Sequence, residues 1–340
     1  RARWHWRRNI GRGRLMWRSR DAWLGRVLET AGSAPVQIVP GSADESKAPA
    51  SVEDGLQSVI REARRHEEPP TRIVSIIGPQ SSGKSTLSNL LFGTHFTTMG
   101  EGLPPSLTTS GIWAAHSPVL PRFLVVDTQG TDSLEAGDAA RTLERRSTLL
   151  ALAISHTLII NMFYSDVGRA DASNLSLLKQ VFAAHHEMHF GAHERTMLLV
   201  VVRDFPSGQA GAPSVLKLQE RMHEQLAAAF IEAVEPLCES PLSEAGAEAL
   251  GRARPLDPNH ATRQCKPSAH VPVFARRFDV RIEPMPDWHF QPQLFAAAVD
   301  ALRDRHFAAQ RAQMQSLDLD GLPAFASRLW AEICAHRDLD

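Results

Sequence analysis

The sequence predicts an α/β fold, a mostly parallel β-sheet with helices on both faces. Three observations lead there. Short apolar runs rich in β-branched residues recur at residues 74–77, 123–127, 157–162 and 197–202, the pattern of strands buried on both faces. Between them lie segments with apolar residues at helical spacing, so strands alternate with helices. The first run also ends directly in Gly78-Pro79-Gln80-Ser81-Ser82-Gly83-Lys84-Ser85. This is the GxxxxGKS spacing of a phosphate-binding loop, in the strand–loop–helix setting that such a loop requires.

The chemistry of that loop follows from its residue types. Glycines let the backbone wrap closely around phosphate oxygens, and successive N–H groups form a nest for an anion. Lys84 supplies a point charge for the outer phosphates. Ser85 offers a hydroxyl to Mg²⁺ and opens a helix whose N-terminus favours anions. Residues Gly78 through Thr86 are therefore the candidate phosphate-contacting set.

The composition is unexceptional for a globular chain of 340 residues with formal net charge −1, so no global field points to nucleic acid. The three cysteines, Cys238, Cys265 and Cys334, show no CxxC spacing. This argues for a reducing compartment and against a thiolate zinc site. Neither an apolar run of membrane-spanning length nor a secretory signal is expected. A first residue of Arg rather than Met reads as a fragment.

Residues 1–35 form a basic arm in which arginines alternate with Trp4, Trp6 and Trp17. Such an arm can touch RNA or an anionic membrane surface and has the acid-poor character of a transit peptide; a disordered tail is the simplest reading. Residues 36–39 read as a short strand closed by Pro40-Gly41, and 52–65 as a helix. After the phosphate loop, the helix at 85–92 stops at Gly93. Residues 94–109, rich in Thr, Gly and Pro, follow without regular period. That is where a nucleotide-sensing switch belongs, with Thr108 or Thr109 as the candidate hydroxyl for Mg²⁺.

The strand at 123–127 delivers Asp127 at its C-terminal end, where α/β sheets bind ligands. Asp127-Thr128-Gln129-Gly130 fits DxxG: a carboxylate to hold Mg²⁺ through water, and a glycine whose N–H can approach a terminal phosphate. Helical spacing returns at 143–154, 175–182 and 216–234. The strand at 197–202 ends in Arg203-Asp204. A carboxylate there can accept the N1–H and 2-amino protons of guanine, a donor pair that adenine lacks, and Arg203 could lie over the base. A strand-terminal Asp that caps the following loop fits equally well. His185, His186, His189 and His193 include pairs one helical turn apart, but without HExxH they read as a solvated helix end. Residues 236–271 read as a long variable insert. A strand at 278–282 and helices at 290–307 and 322–334 complete the chain.

Taken together, these segments resemble the Sey1/RHD3/atlastin branch of dynamin-like GTPases, closest to its Sey1 and plant members. The resemblance rests on residues 78–99, on Thr108-Thr109-Ser110-Gly111-Ile112-Trp113, and on Val125-Val126-Asp127-Thr128-Gln129-Gly130-Thr131-Asp132. It also rests on residues 144–162, 167–182, 198–204, 290–307 and 329–340. It implies a P-loop GTPase domain over residues 36–310 and, over 311–340, a linker with the first helix of a C-terminal helical region. It implies that Arg203-Asp204 read guanine, that the loop at 285–289 closes over the base, and that GTP is hydrolysed to GDP with Mg²⁺ held by Ser85, Thr109 and Asp127. It further implies homodimerisation through GTPase domains and membrane anchoring by segments outside this chain. The place is the endoplasmic reticulum membrane, with the GTPase domain facing the cytosol and homotypic fusion as the outcome. Nucleic acid is not an expected partner. Departures occur at Gln129, where family members carry an acidic residue, at Ser110, where they carry Lys, and at Ser81, where atlastins place an arginine finger. Thr131 stands where a Ras-like Gln would be. A soluble guanylate-binding-type GTPase without a fusion role and a non-enzymatic GTP-gated module remain alternatives.

Overall fold

A computed structural model describes residues 34–41, 52–66, 70–98, 111–130, 138–169, 173–187, 195–206, 213–239, 273–308 and 319–336. The basic arm up to residue 33, Thr108, Thr109, Ser110, Thr131, His189, His193 and residues 240–271 of the expected insert lie outside them.

The strands are β1 (Val36–Val39), β2 (Arg72–Ile77), β3 (Ile112–His116), β4 (Phe123–Thr128), β5 (Thr157–Phe163), β6 (Thr196–Arg203) and β7 (Phe278–Pro284). The helices are α1 (Val52–Ala63), α2 (Lys84–Phe92), α3 (Asp138–Ile154), α4 (Ser173–Glu187), α5 (Val215–Glu239), α6 (Pro292–Arg303) and α7 (Leu322–Ala335). Among the described residues the strands form one sheet in the order β1-β3-β4-β2-β5-β6-β7. β4, β2, β5, β6 and β7 are mutually parallel, while β3 pairs antiparallel with both β4 and β1. Only β3 therefore runs against the rest. The chain leaves β2 toward β4 on one side and returns to β5 on the other, so the end of β2 is the switch point where an open α/β sheet binds ligands.

Strand periodicity divides the core into two layers. Ile73, Ile77, Leu124, Val126, Leu158, Ile160, Leu198, Val200 and Val202 face a cluster that includes Leu56 of α1, Leu149 of α3, Phe182 of α4, Phe230 of α5 and Leu329 of α7. Val74, Ile76, Val125, Ile159, Leu199 and Val201 face the opposite cluster, built with α2 and α6. On this second side Phe307 packs edge-on against Phe92 at 5.0 Å and Phe123 at 5.4 Å. Phe307 is carried there by a π-helical turn, Asp304–Ala308, that continues α6.

Four features differ from the sequence reading or were absent from it. β3 was not expected, because its Ala114, Ala115 and His116 carry little strand preference; pairing on both edges makes it a strand. α5 runs through Pro236 to Glu239, so the first residues of the expected insert are helical. His185 is buried rather than at a solvated helix end. It lies 6.1 Å from the Phe278 ring, and burial, aided by Arg277 and His186, pushes its imidazole down to about 4. Finally, α7 packs directly on α1 and α3 and buries Leu322, Ala326, Leu329 and Ile333 in the domain's own core. Arg146 of α3 donates to the Cys334 carbonyl at 3.2 Å.

This seat for α7 has a measurable consequence. Ile333 is fully buried, so Ile333→Ala is expected to destabilise the whole domain by about 2–4 kcal/mol through lost burial and the cavity left behind. A shift of the main urea unfolding transition checks it; an unchanged transition would show α7 to be a separate unit.

Candidate functional site

The site grows out of the ends of β2, β4, β5 and β6. β2 stops at Ile77, and the loop turns through Ser81, with φ 61°, and Gly83, with φ 80°, before α2 begins at Lys84. Gly83 offers no side-chain cap to the helix. The first-turn N–H groups of α2 thus lack helical acceptors and suit an anion. The loop borders a cleft of about 430 Å³, lined further by Thr97, Thr98, Gly130, Phe163, Arg203, Asp204, Trp288 and His289.

Lys84 is buried and donates from Nζ to the Pro79 carbonyl at 3.0 Å. Burial lowers its ammonium to about 8, with Asp127 and then Glu144 pulling it back up. Ser85 Oγ donates to Asp127 Oδ2 at 2.6 Å, and Asp127 is fully buried. A hydroxyl and a carboxylate, both hard oxygen donors, meet at one point beside the loop. This is the donor chemistry that Mg²⁺ takes, so these two residues fit that ion. Gly130 closes in from β4: a Cβ there would sit 2.5 Å from Gln80 Cα and 2.9 Å from Lys84 Nζ, so only glycine fits. Gln129 extends the contact away from the loop, its Oε1 accepting from Gly111 N–H at 3.0 Å and its own N–H donating to Gly111 O at 2.8 Å.

Arg203 and Asp204 both line the cleft, but they are held differently. Instead of lying free over a base position, the Arg203 guanidinium is buried. Nη1 donates to the Ser82 carbonyl at 3.1 Å and Cζ lies 4.9 Å from the Phe295 ring centroid. Burial lowers its pKa, with Asp204 and Asp287 opposing. Asp204 is exposed at φ 60°. Partial burial raises its carboxyl, Arg203 lowers it, Asp287 raises it and His289 lowers it. Trp288, at 5.0 Å from Phe295, closes the same side.

Thr108 and Thr109 lie outside the described residues, but the start of the expected switch is visible and anchored. Asn89 of α2 accepts from Thr94 Oγ1 at 3.0 Å and from Phe96 N–H at 2.9 Å, and donates to Phe96 O at 2.9 Å. Thr94 and Phe96 are buried, and Thr97 and Thr98 reach the cleft. The sequence reading missed Asn89, Thr97, Thr98, Phe163 and Asn161. Asn161 left a trace: it is a lone amide within an otherwise apolar buried strand, where an unpartnered polar group is costly.

The low pKa of Lys84 has a testable sign. In the free protein the amine loses its proton as pH rises through about 8, below its ordinary 10.5. Phosphate charge beside it favours the ammonium and raises that value. Binding of a nucleoside diphosphate near pH 8.5 is therefore expected to take up a fraction of a proton, and affinity to fall as pH rises above 8. Titration calorimetry in buffers of differing ionisation enthalpy measures the uptake. Its persistence in Lys84→Ala would assign the proton elsewhere.

Residues 77–240 match the family model described as the root hair defective 3 GTP-binding protein GTPase domain. Protein SEY1 homolog 2 of Trichomonas vaginalis is 49% identical over 132 residues, covering 38% of this chain and 16% of that protein. Protein SEY1 of Eremothecium gossypii is 32% identical over 286 residues, covering 79% of this chain and 32% of that protein. Protein ROOT HAIR DEFECTIVE 3 homolog 1 of Arabidopsis thaliana is 47% identical over 133 residues, 39% of this chain and 16% of that protein. The aligned part of the chain thus spans a third or less of these relatives' length. Sheet order, phosphate loop and family match agree on a P-loop GTPase domain, which over residues 77–240 matches the root hair defective 3 GTPase-domain model.

Proposed function

We propose that this chain binds GTP in the cleft at the end of β2 and hydrolyses it to GDP and phosphate. The observation that carries the reading is the meeting of Lys84, Gly130 and the Ser85–Asp127 pair around one loop. In this reading the loop from Gly78 to Thr86 cradles the phosphates with its N–H groups, Pro79 having none to give. Lys84 holds its charge against the oxygens that gain negative charge as the terminal phosphoryl transfers. Gly130 brings its N–H to the terminal phosphate. Ser85 and Asp127, with Thr108 or Thr109 from the switch, would hold Mg²⁺, which when bound offsets phosphate charge. Asp204 accepts the paired donors of guanine. Trp288 and His289 exclude water from that end of the cleft.

On the family resemblance we extend this to the whole protein. Switch closure on GTP drives pairing of two GTPase domains, and membrane segments outside this chain anchor them in the endoplasmic reticulum, with the GTPase domain facing the cytosol. Pairing across opposing membranes then serves homotypic fusion. Among the described residues no helix is long and apolar enough to cross a membrane.

Two experiments test these steps. Asp204→Asn is expected to lower kcat/KM for GTP by about a hundredfold or more, because guanine donors then face an amide, and to improve xanthosine triphosphate. Equal use of GTP and ATP by the wild type would reject guanine reading by Asp204. For pairing, sedimentation is expected to give a monomer with GDP and a dimer with a transition-state mimic, and no dimer when Thr108 and Thr109 are both Ala. By linkage, a nucleotide state that favours the dimer is also bound more tightly by it. A monomer in both states at micromolar concentration would defeat pairing and leave hydrolysis standing.

A further inference from the structure

The geometry points to Asn161 and Arg203 as positioning residues of the phosphate loop, a two-sided clamp on one carbonyl that aims the Gly83 N–H into the cleft. The inference rests on the reading of that cleft as a nucleotide site and assigns its residues a role beyond direct contact.

The two side chains reach the same atom from neighbouring strands. Asn161 lies in β5 and Arg203 ends β6, in parallel register that pairs Asn161 with Val201 and Phe163 with Arg203. Both share the sheet face of Ile159, Leu199 and Val201, the face that carries α2 and α6. From there Asn161 Nδ2 donates to Ser82 O and to Ser82 Oγ, both at 2.9 Å. Arg203 Nη1 donates to the same Ser82 O at 3.1 Å. Asn161 is fully buried, and Ser82 and Arg203 nearly so.

The Ser82 carbonyl belongs to the Ser82–Gly83 peptide. A trans peptide is planar, so its C=O and N–H point in opposite directions. With the oxygen fixed toward the sheet by two donors, the Gly83 N–H is turned the other way, toward the cleft that Gly83 lines. Gly83, at positive φ, has the backbone freedom of glycine, so the peptide before it is not held to one orientation by its own sterics. The clamp selects one before any ligand arrives. That is preorganisation, which spares the ligand the cost of ordering the loop.

Two further observations separate this from ordinary core packing. Asn161 Oδ1 is buried and makes no hydrogen bond among the described residues. An unsatisfied buried oxygen is costly, so an apolar residue would serve packing better. Arg203 is held on its other side by the Phe295 ring, and a Cβ on Gly83 would come within 2.9 Å of its Nη1. The guanidinium is therefore fitted to this peptide and spent on it. Because Asp204 follows directly, the residue proposed to read the base adjoins the one that aims the loop, so base and phosphate contacts share one rigid strand end.

The test compares GDP with GMP, since GDP engages more of the loop's N–H groups. Affinities are measured by displacement of a fluorescent GDP analogue from the wild type, Asn161→Leu and Arg203→Lys, with thermal unfolding of each. Asn161→Leu removes the donor and the unsatisfied oxygen together. Its unfolding temperature is expected to stay the same or rise, while GDP affinity falls about tenfold and GMP affinity changes by less than about twofold. Arg203→Lys keeps the charge, loses the guanidinium's reach and shows the same split; it decides the matter if Asn161→Leu does not fold. GDP affinity within about twofold of wild type in the folded variants, or equal weakening of GDP and GMP, would overturn the clamp. A wild type that binds neither nucleotide would sink the nucleotide-site reading itself, and the clamp with it.

Discussion

Parallel strands end side by side, and at β2, β4, β5 and β6 that common end is where the apolar runs give way to polar groups. The fold depends on this constraint more than on any single contact. Ile77 hands over to the phosphate loop, β4 ends in Asp127 and Thr128, β5 carries Asn161 near its end, and β6 stops at Arg203. Period-2 alternation puts Asp127, Asn161 and Arg203 on the face that also carries α2. Helix and strand ends thus meet on one side of the sheet: Ser85 bonds Asp127, and Ser82 receives both donors from β5 and β6. Thr128 ties β4 to β2 from its hydroxyl to the Ile76 carbonyl at 2.8 Å.

Charges are concentrated where burial makes them costly. Lys84 and Asp127 are both buried and offset each other only in part, since the ammonium is still pulled down to about 8. In the function proposed above, a polyphosphate with its cation would complete this balance. The same burial strengthens every interaction made there, because little water is left to screen it. Arg203 follows the same logic with a different solution, its charge resting on a peptide carbonyl and an aromatic face.

The two core layers divide the labour. The side with α1, α3, α4, α5 and α7 is the larger apolar cluster, with a ring group of Phe182, Phe230, Phe274 and Phe278 at centroid separations of 5.3 to 6.4 Å. The side with α2 and α6 is thinner and fixes the loop. Arg303 of α6 donates from Nε to the Leu91 carbonyl at 2.8 Å, and Ser117 donates to the Phe92 carbonyl at 2.7 Å, so the open end of α2 is satisfied by the surrounding fold. α3, which begins a few residues after Gly130, is also part of the seat for α7.

The sequence by itself determined the parts whose information is local. GxxxxGKS after a β-branched run identifies the loop, because strand, turn and helix signals lie within a few residues of one another. Asp127 and Asp204 stand out as candidates because they follow the ends of apolar runs, and Gly93 is legible because a left-handed stop ends α2. Only the tertiary structure decided which strand lies beside which, and with it the residues that act across that order. Asn161 meets Ser82 across 79 residues and Arg203 meets it across 121. β3 exists because two edges pair with it, His185 is buried because β7 closes over α4, and α7 joins this core because α1 and α3 leave an apolar seat. Periodicity says which face a side chain takes, but not which neighbour waits there; that neighbour is set by the connections between strands and by the apolar area their packing removes from water.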